Sequence, residues 1–415
     1  MSYFMLPKLI NPKLISNIQV TFIENEEDLY RLSPSLNNYL NNIKKKIDNV
    51  INEWDIYKRY TNPYEYIHSI ISNSHKTNVS KLKPLSRSFY KMIEIITIFN
   101  ITDTFPDVIT TFHLAEGPGG FIEALVYLRD NSNDKYYGMT LISDSANIPS
   151  WKKSKIFMSK NKNVIMENGI SGDGDLTDKA NLLFCLEKYH NSMDFITGDG
   201  GFDFSINFNK QEEISQNLIF CQICFAIAMQ KTGGTFVLKI FDVFMQSTLD
   251  LLYILSICYE RVFIIKPNTS RIANSEKYIV CRNFLLKNSR DLVLKLSQIY
   301  DIIDKNIIDK NIIDKNIIVN TKRQDRFVNR FLDIDIPSYY VNKLEEINAI
   351  IGQQQIENMN TTFSLIKNNK SDKIEQYKNN NINKSIFWCQ KFNIPYNQAV
   401  ACNSSGVINS DDDYF

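Results

Sequence analysis

The chain has 415 residues, enough for one large domain with extensions or for two domains. Hydrophobic residues make up 44% and aromatics 12%, which excludes global disorder and supplies a sizeable core. Lys+Arg number 47 against 46 Asp+Glu, so a nucleic-acid partner would have to be met by a local basic patch and not by a global positive field.

The first ten residues, MSYFMLPKLI, lack the basic start and long apolar stretch of a secretory leader. No uninterrupted run of about 18 apolar residues follows anywhere, so no membrane partner is expected. Residues 1–85 read as a polar, mostly helical N-terminal extension, with apolar residues at three- and four-residue spacing. Pro63 is expected to split it into two pieces. Within it, Lys58 and Arg59 lie between Tyr57 and Tyr60. Such a basic pair with flanking rings suits RNA phosphates and bases, and it equally suits a solvated helix face.

From about residue 86 to 290 short apolar strands alternate with helical patterns. The strand candidates are 110–116, 135–142, 193–199, 233–242, 261–267 and 276–284; helices are expected over 211–231 and 246–259. Alternation of this kind predicts an α/β sheet with helices on both faces. The last two strands are joined only by NTSRIANS, too short for a parallel crossover, so they should pair antiparallel. Cys221 and Cys224 form a lone CxxC inside an apolar helical run. With no second pair to complete a zinc site, they read as core. The seven scattered cysteines form no disulfide framework and suit a reducing compartment.

Residues 300–319 are a tandem DKNII repeat with period five, which keeps no face of a helix or strand. They read as a low-complexity surface insertion. Residues 320–400 look helical again, with Asn/Lys-rich breaks around 367–384, and 401–415 form a frayed tail.

Glu116-Gly117-Pro118-Gly119-Gly120-Phe121 follows a strand and precedes a helix. Small residues there let a ligand reach the backbone and the free N–H groups of the helix start, at the carboxyl end of a strand where open α/β sheets bind ligands. A tight turn without a ligand fits the same residues. The loop departs from GxGxxG, which argues against a nicotinamide dinucleotide. A second loop, Ser171-Gly172-Asp173-Gly174-Asp175-Leu176, offers carboxylates to an adenine amino group or a ribose, or is simply a solvated turn. It does not meet the EF-hand calcium pattern.

Four charges stand in telling places. Asp199 ends a strand, Lys239 interrupts an otherwise apolar strand, Glu276 begins the last strand, and Lys91 lies on the helix before the first. A charge in a core strand costs free energy unless it is paired. Lys239 is therefore either a buried structural partner of Asp199 or Asp242, or a general base. In the second reading a neighbouring cation and partial desolvation favour its neutral amine. That amine could take the proton of a ribose 2′-hydroxyl attacking a methyl sulfonium, with Asp199 orienting it, Lys91 supplying the second cation and Glu276 holding Lys91 or the hydroxyl. No His/Cys/carboxylate cluster has metal spacing, so no metal is expected.

The order Lys91, Asp199, Lys239, Glu276, with the glycine loop between the first two, resembles the Lys-Asp-Lys-Glu tetrad of FtsJ-type RNA 2′-O-methyltransferases. The stretches NPYEYI, GPGGF, GMTL, GDGDLT, DGGFDF, TGGTFVLKIFD and KPNTSRIANSEKYIVC are most similar to the enzymes that make the cap-1 structure of mRNA, cellular and from large DNA viruses. The resemblance implies a Rossmann-like sheet with a final antiparallel strand. It implies S-adenosylmethionine against Ala115, Glu116, Gly117, Pro118, Gly119, Gly120 and Phe121, with Asp175 and Leu176 near the adenosine. It implies Lys239 as proton acceptor within the tetrad, and capped RNA near Lys58, Arg59, Asn209, Gln211 and Asn274. Ser86 stands where the cellular cap enzyme carries asparagine near the cofactor. Other capping or transcription proteins are the partners this reading admits. The Asn/Ile-rich composition suggests an AT-rich genome and a viral protein of the cytoplasm; a cellular one would be nuclear.

Overall fold

The computed structural model describes residues 3–10, 13–25, 28–71, 77–142, 150–201, 208–306 and 326–398. Ten strands are present among them: β1 (Tyr3–Met5), β2 (Ile18–Ile23), β3 (Thr110–Leu114), β4 (Lys135–Met139), β5 (Val164–Met166), β6 (Met193–Gly198), β7 (Gln230–Ile240), β8 (Tyr259–Ile265), β9 (Lys277–Phe284) and β10 (Phe327–Leu332). The helices are α1 (Leu14–Asn17), α2 (Pro34–Lys45), α3 (Ile51–Tyr57), α4 (Ser88–Ile98), α5 (Gly120–Arg129), α6 (Lys155–Lys160), α7 (Lys179–Tyr189), α8 (Gln211–Met229), α9 (Gln246–Cys258), α10 (Arg290–Asn306), α11 (Ser338–Asn368) and α12 (Ser371–Lys391).

Eight strands form one sheet in the order β1-β8-β9-β7-β6-β3-β4-β5. Neighbours from β7 through β5 pair parallel, while β9 runs antiparallel between β7 and β8. This is the expected α/β sheet, with helices on both faces and its last strand reversed. Side chains alternate across it. Phe236, Leu238, Ile279 and Cys281 join the core built with α7, α8, α9 and α10. Val237, Tyr278 and Val280 join the opposite core, built with α4, α5 and α12. Lys239 follows Val237 at two-residue spacing, so it faces the side on which α4 carries Lys91.

All six strand candidates are strands. Four further strands escaped the pattern. The N-terminal region is not mostly helical: β1 pairs antiparallel with β8, Tyr3 opposite Ile265, and β2 pairs with β10. Three to six residues on a sheet edge give too short an alternation to separate from a helical face. The Asn/Lys-rich stretch breaks the C-terminal helices as expected, but only once, at its start. The chain turns at Asn369, whose φ is 41°, and α12 then runs on through it. Tertiary contact overrides the poor helix propensity of asparagine there: Ile382, Ile386, Trp388 and Cys389 are buried, and Asn381 Nδ2 donates to the Tyr60 carbonyl at 2.8 Å. The start of the DKNII region is also not a surface insertion, since α10 carries Tyr300 and Ile303 into the core. The rest of the repeat, 307–319, and the tail at 401–415 lie outside the described residues. Cys221 and Cys224 are buried and form no disulfide. No helix among the described residues is long and apolar enough to cross a membrane.

One buried ring sets an acid limit on this fold. His113, in β3, is fully buried between Thr111 Oγ1, 2.9 Å from Nε2, and Thr197 Oγ1, 2.8 Å from Nδ1. Burial pushes its pKa down to about 3 from 6.5. A depressed histidine is neutral in the folded chain and protonates in the unfolded one. Its contribution is complete above pH ~6.5 and falls by about 1.4 kcal/mol per pH unit below that, until about pH 3. Urea unfolding should show His113→Gln losing about 2 kcal/mol less than the unmutated protein between pH 6.5 and 5. Parallel losses in both would assign the acid sensitivity to other groups.

Candidate active site

The site lies where β6 and β7 end and β9 begins. β6 and β7 are in parallel register, Gly198 opposite Leu238, so Asp199 and Lys239 each stand one residue further along. On the other side of β7, Lys239 is opposite Tyr278 and Ile240 opposite Lys277, which brings Glu276 to the same edge. Lys91 reaches in from α4. The sequence thus disperses four charges over 186 positions, and the register gathers them.

They form two ion pairs. Lys91 Nζ is 2.6 Å from Glu276 Oε1. Lys239 Nζ donates to the Asp199 carbonyl at 2.6 Å and lies 3.1 Å from Asp199 Oδ1, which is not aligned for a hydrogen bond. Lys239 therefore pairs with Asp199; Asp242 belongs to Lys44, at 2.9 Å, and Lys277, at 3.6 Å. A β-carbon on Gly201 would come within 3.1 Å of Lys239 Nζ, so glycine there leaves the amine room.

The electrostatics tie the pairs together. Burial alone raises the Glu276 carboxyl, but the cations of Lys91, Lys239 and Lys266 outweigh it and hold Glu276 well below the usual carboxylate range. Burial lowers Lys91, and the Arg87 guanidinium adds to that; Glu276 and Asp199 oppose. Glu276 is thus an anion held among cations, and an acceptor fixed in place: Ser270 Oγ donates to its Oε1 at 2.9 Å.

Several supporting residues were not singled out from sequence. Lys266 Nζ donates to the Asn274 carbonyl at 2.7 Å, to Asn274 Oδ1 at 2.9 Å and to the Glu276 carbonyl at 2.9 Å, tying down the loop before β9. Burial, and then Lys277, bring Lys266 down to about 7. Glu94, one turn beyond Lys91 on α4, accepts from Asn268 N at 2.8 Å, Thr269 N at 3.1 Å and Thr269 Oγ1 at 2.9 Å. Arg271 holds Glu65 through two hydrogen bonds, of 2.7 and 3.0 Å, and so docks the NPYEYI segment onto the same loop. The only sequence signal for Glu94 was its three-residue spacing from Lys91.

The glycine loop follows β3, as expected. Gly119 adopts φ +100°, a backbone open to glycine, and its β-carbon would meet the Trp151 ring at 3.0 Å. The helix start is less open than expected. The buried Glu116 carboxylate accepts from the backbone N–H groups of Phe121 and Ile122. Those two donors are therefore taken by the protein, an anion at a helix N-terminus being a favourable cap. In the second loop, Asp175 Oδ1 accepts from Thr177 N and Thr177 Oγ1, both at 2.8 Å. Leu176 is 3% exposed and packs into the core, so only its backbone can line a pocket. Gly174 has φ +68° and passes the Thr140 carbonyl so closely that a β-carbon would collide with it, which brings this loop to the end of β4.

Gln211 and Asn274 come to the same place. Gln211 Oε1 accepts from Ser275 Oγ at 2.5 Å, and Asn274 accepts from Lys266. Asn209 precedes α8 in the short turn Phe208–Lys210. Lys58 and Arg59 stay local: Lys58 pairs with Asp55, and Arg59 donates to the Ile70 carbonyl at 3.0 Å. Among the described residues no group of three or more His, Cys, Asp or Glu side chains is placed to hold a metal.

A mostly parallel sheet with a reversed strand, a glycine loop after its first parallel strand and a charged cluster at the strand ends define a Rossmann-like methyltransferase domain. Residues 84–284, just under half of the chain, match the family described as FtsJ-like methyltransferase. It is similar to the cap-specific mRNA (nucleoside-2′-O-)-methyltransferase 1 of Mus musculus, 33% identical over 244 residues, covering 53% of this chain and 27% of that protein. The Drosophila melanogaster protein of the same name is 31% identical over 266 residues, covering 60% and 32%. The chain thus spans about a third or less of the length of these curated relatives. Among solved structures, a putative ribosomal RNA methyltransferase from Plasmodium falciparum is 20% identical, with a TM-score of 0.35, covering 48% of this chain and 98% of that one.

Proposed function

We propose that this chain methylates the ribose 2′-hydroxyl of the first transcribed nucleotide of capped mRNA, using S-adenosylmethionine. The observation that carries the reading is the pairing of Lys239 with Asp199 beside the Lys91–Glu276 pair, at the ends of adjacent strands. The names of the relatives, which describe cap-specific mRNA 2′-O-methyltransferases, support the substrate.

S-adenosylmethionine would supply an electrophilic methyl group on sulfonium. The residues fit it. Ala115, Gly117 and Pro118 are partly exposed after β3, and Asp175, anchored through Oδ1 alone, keeps Oδ2 for an adenine amino group or a ribose hydroxyl. Ala115, Glu116, Gly117, Pro118, Gly119, Gly120 and Phe121 would form the cofactor's wall, with Glu116 shaping it from behind.

The tetrad handles the acceptor. Lys239 accepts the proton of the attacking hydroxyl, while Asp199 holds its side-chain nitrogen in place through carbonyl and carboxylate. Glu276, kept anionic by Lys91, Lys239 and Lys266, orients the hydroxyl or its neighbour. Positioning of the two reactants contributes most of the remaining acceleration. Gln211 and Asn274, fixed by Ser275 and Lys266, would meet the RNA with Asn209. Lys58 and Arg59 would meet it further out, by exchanging their local partners for phosphate. The cytoplasm and other capping proteins are the setting we propose.

Methyl transfer from labelled cofactor to short RNAs with an N7-methylated cap, an unmethylated cap or a 5′-triphosphate tests the reading. Nuclease digestion then locates the label. Label on the first transcribed nucleotide of capped RNA alone is the expected result. Label at internal positions, or equal label on uncapped RNA, would place the substrate among structured RNAs. Binding of cofactor and RNA without transfer would make the chain an inactive RNA-binding subunit.

A further inference from the structure

Most charges around the tetrad are paired with an opposite charge or held by hydrogen bonds. Lys91 pairs with Glu276, Lys239 with Asp199, and Arg271 with Glu65. His68, beside Glu65, is neutral: burial and the Arg87 cation push it down to about 3. Arg87 precedes α4, one turn before Lys91 and on the same helix face. It lies within the electrostatic reach of Glu65, Glu276 and Arg271, but its guanidinium makes no hydrogen bond or ion pair to a described residue. Both of those carboxylates already have a cation. A partly buried guanidinium left without an anion is costly.

Arg87 also stands at a junction. The hydroxyls of its neighbours Ser86 and Ser88 lie against Gly120, where an added β-carbon would collide with both. One side of Arg87 is therefore the glycine loop and the other the Lys91–Glu276 pair. Its flat fork of donors matches two oxygens of a phosphate.

We infer that Arg87 is a substrate-binding residue, taking a backbone phosphate of the RNA next to the reacting ribose. This rests on the proposed function and adds a subsite to it. The unpaired charge is completed only when RNA binds.

The test uses the full chain and a short capped RNA labelled at its 3′ end. Affinity is followed against salt concentration for the unmutated protein, Arg87→Gln and Arg87→Lys. Loss of one phosphate contact to a single strand lowers the slope of log affinity against log salt by about 0.7. Arg87→Gln should show this drop and a KM for RNA raised about ten-fold, a larger change than in kcat, with S-adenosylmethionine affinity retained by calorimetry. Arg87→Lys should recover the slope and part of the affinity. An unchanged slope in Arg87→Gln would overturn the inference. If the pH profile of turnover moved instead, Arg87 would act by tuning Lys91. Failure of the unmutated chain to bind RNA would overturn the proposed function as well; normal methyl transfer with an unchanged slope would overturn this inference alone.

Discussion

Lys239→Ala is expected to slow methyl transfer by about a hundred- to ten-thousand-fold, ~3–5 kcal/mol in the barrier, while S-adenosylmethionine still binds within a few-fold. The residue lies at the end of a core strand, so its loss removes no packing layer. What it removes is the group that Asp199 holds at 2.6 Å through its carbonyl, and one of the cations that keep Glu276 ionised. Lys239→Arg separates these two contributions. Arginine keeps the positive charge beside Asp199 and Glu276 but cannot give up its proton. If Lys239 accepts the hydroxyl proton, the arginine variant should be nearly as slow as the alanine variant. Single-turnover rates at saturating cofactor and capped RNA measure both. A Lys239→Arg rate close to that of the unmutated protein would reduce Lys239 to a source of positive potential. A Lys239→Ala rate within ten-fold would remove it from the chemistry.

Three of the four gathered charges were legible because each broke a local rule, while Lys91 was marked only by its place on the helix before the first strand. Lys239 put a charge into an apolar strand, and Asp199 and Glu276 stood at strand ends, where open sheets bind ligands. The six strands of the methyltransferase sheet were legible because each is long enough to show its apolar run between turn residues. The edge strands β1, β2, β5 and β10 were not, being three to six residues long. The residues that support the tetrad were hidden for a different reason. Lys266, Glu94, Arg271 and Arg87 are ordinary charges on helices or loops, and each acquires a role only when the segment 266–276 folds across α4 and the NPYEYI turn. Glu116 shows the limit within a motif. Its place in the glycine loop was plain, but whether its carboxylate would face a ligand or cap its own helix depends on the turn at Gly119. The DKNII repeat misled at its start because a five-residue period masks the face on which Tyr300 and Ile303 are buried.

Asp250→Ala should cost about 3–5 kcal/mol of stability, the usual penalty for removing one partner of a buried pair. Asp250 sits in the middle of the first turns of α9 with its side chain fully buried, and joins that helix to β10. Its Oδ2 accepts from Arg330 Nε at 2.9 Å, Phe331 N at 2.8 Å and Leu332 N at 3.2 Å. Removing the carboxylate strands a half-buried guanidinium and two backbone donors at once. Burial nevertheless raises the Asp250 pKa despite Arg330, so the pair does not fully offset its own desolvation. The cost of the single variant should therefore exceed that of the double. Asp250→Ala with Arg330→Met leaves no orphaned charge, and should recover part of the loss. Asp250→Asn keeps an acceptor for the two backbone donors and should fall between. Urea midpoints of the four proteins read this directly. A double variant less stable than Asp250→Ala would mean that Arg330 stabilises the fold through its other hydrogen bond, to the Ile334 carbonyl at 2.7 Å, and that the aspartate is incidental.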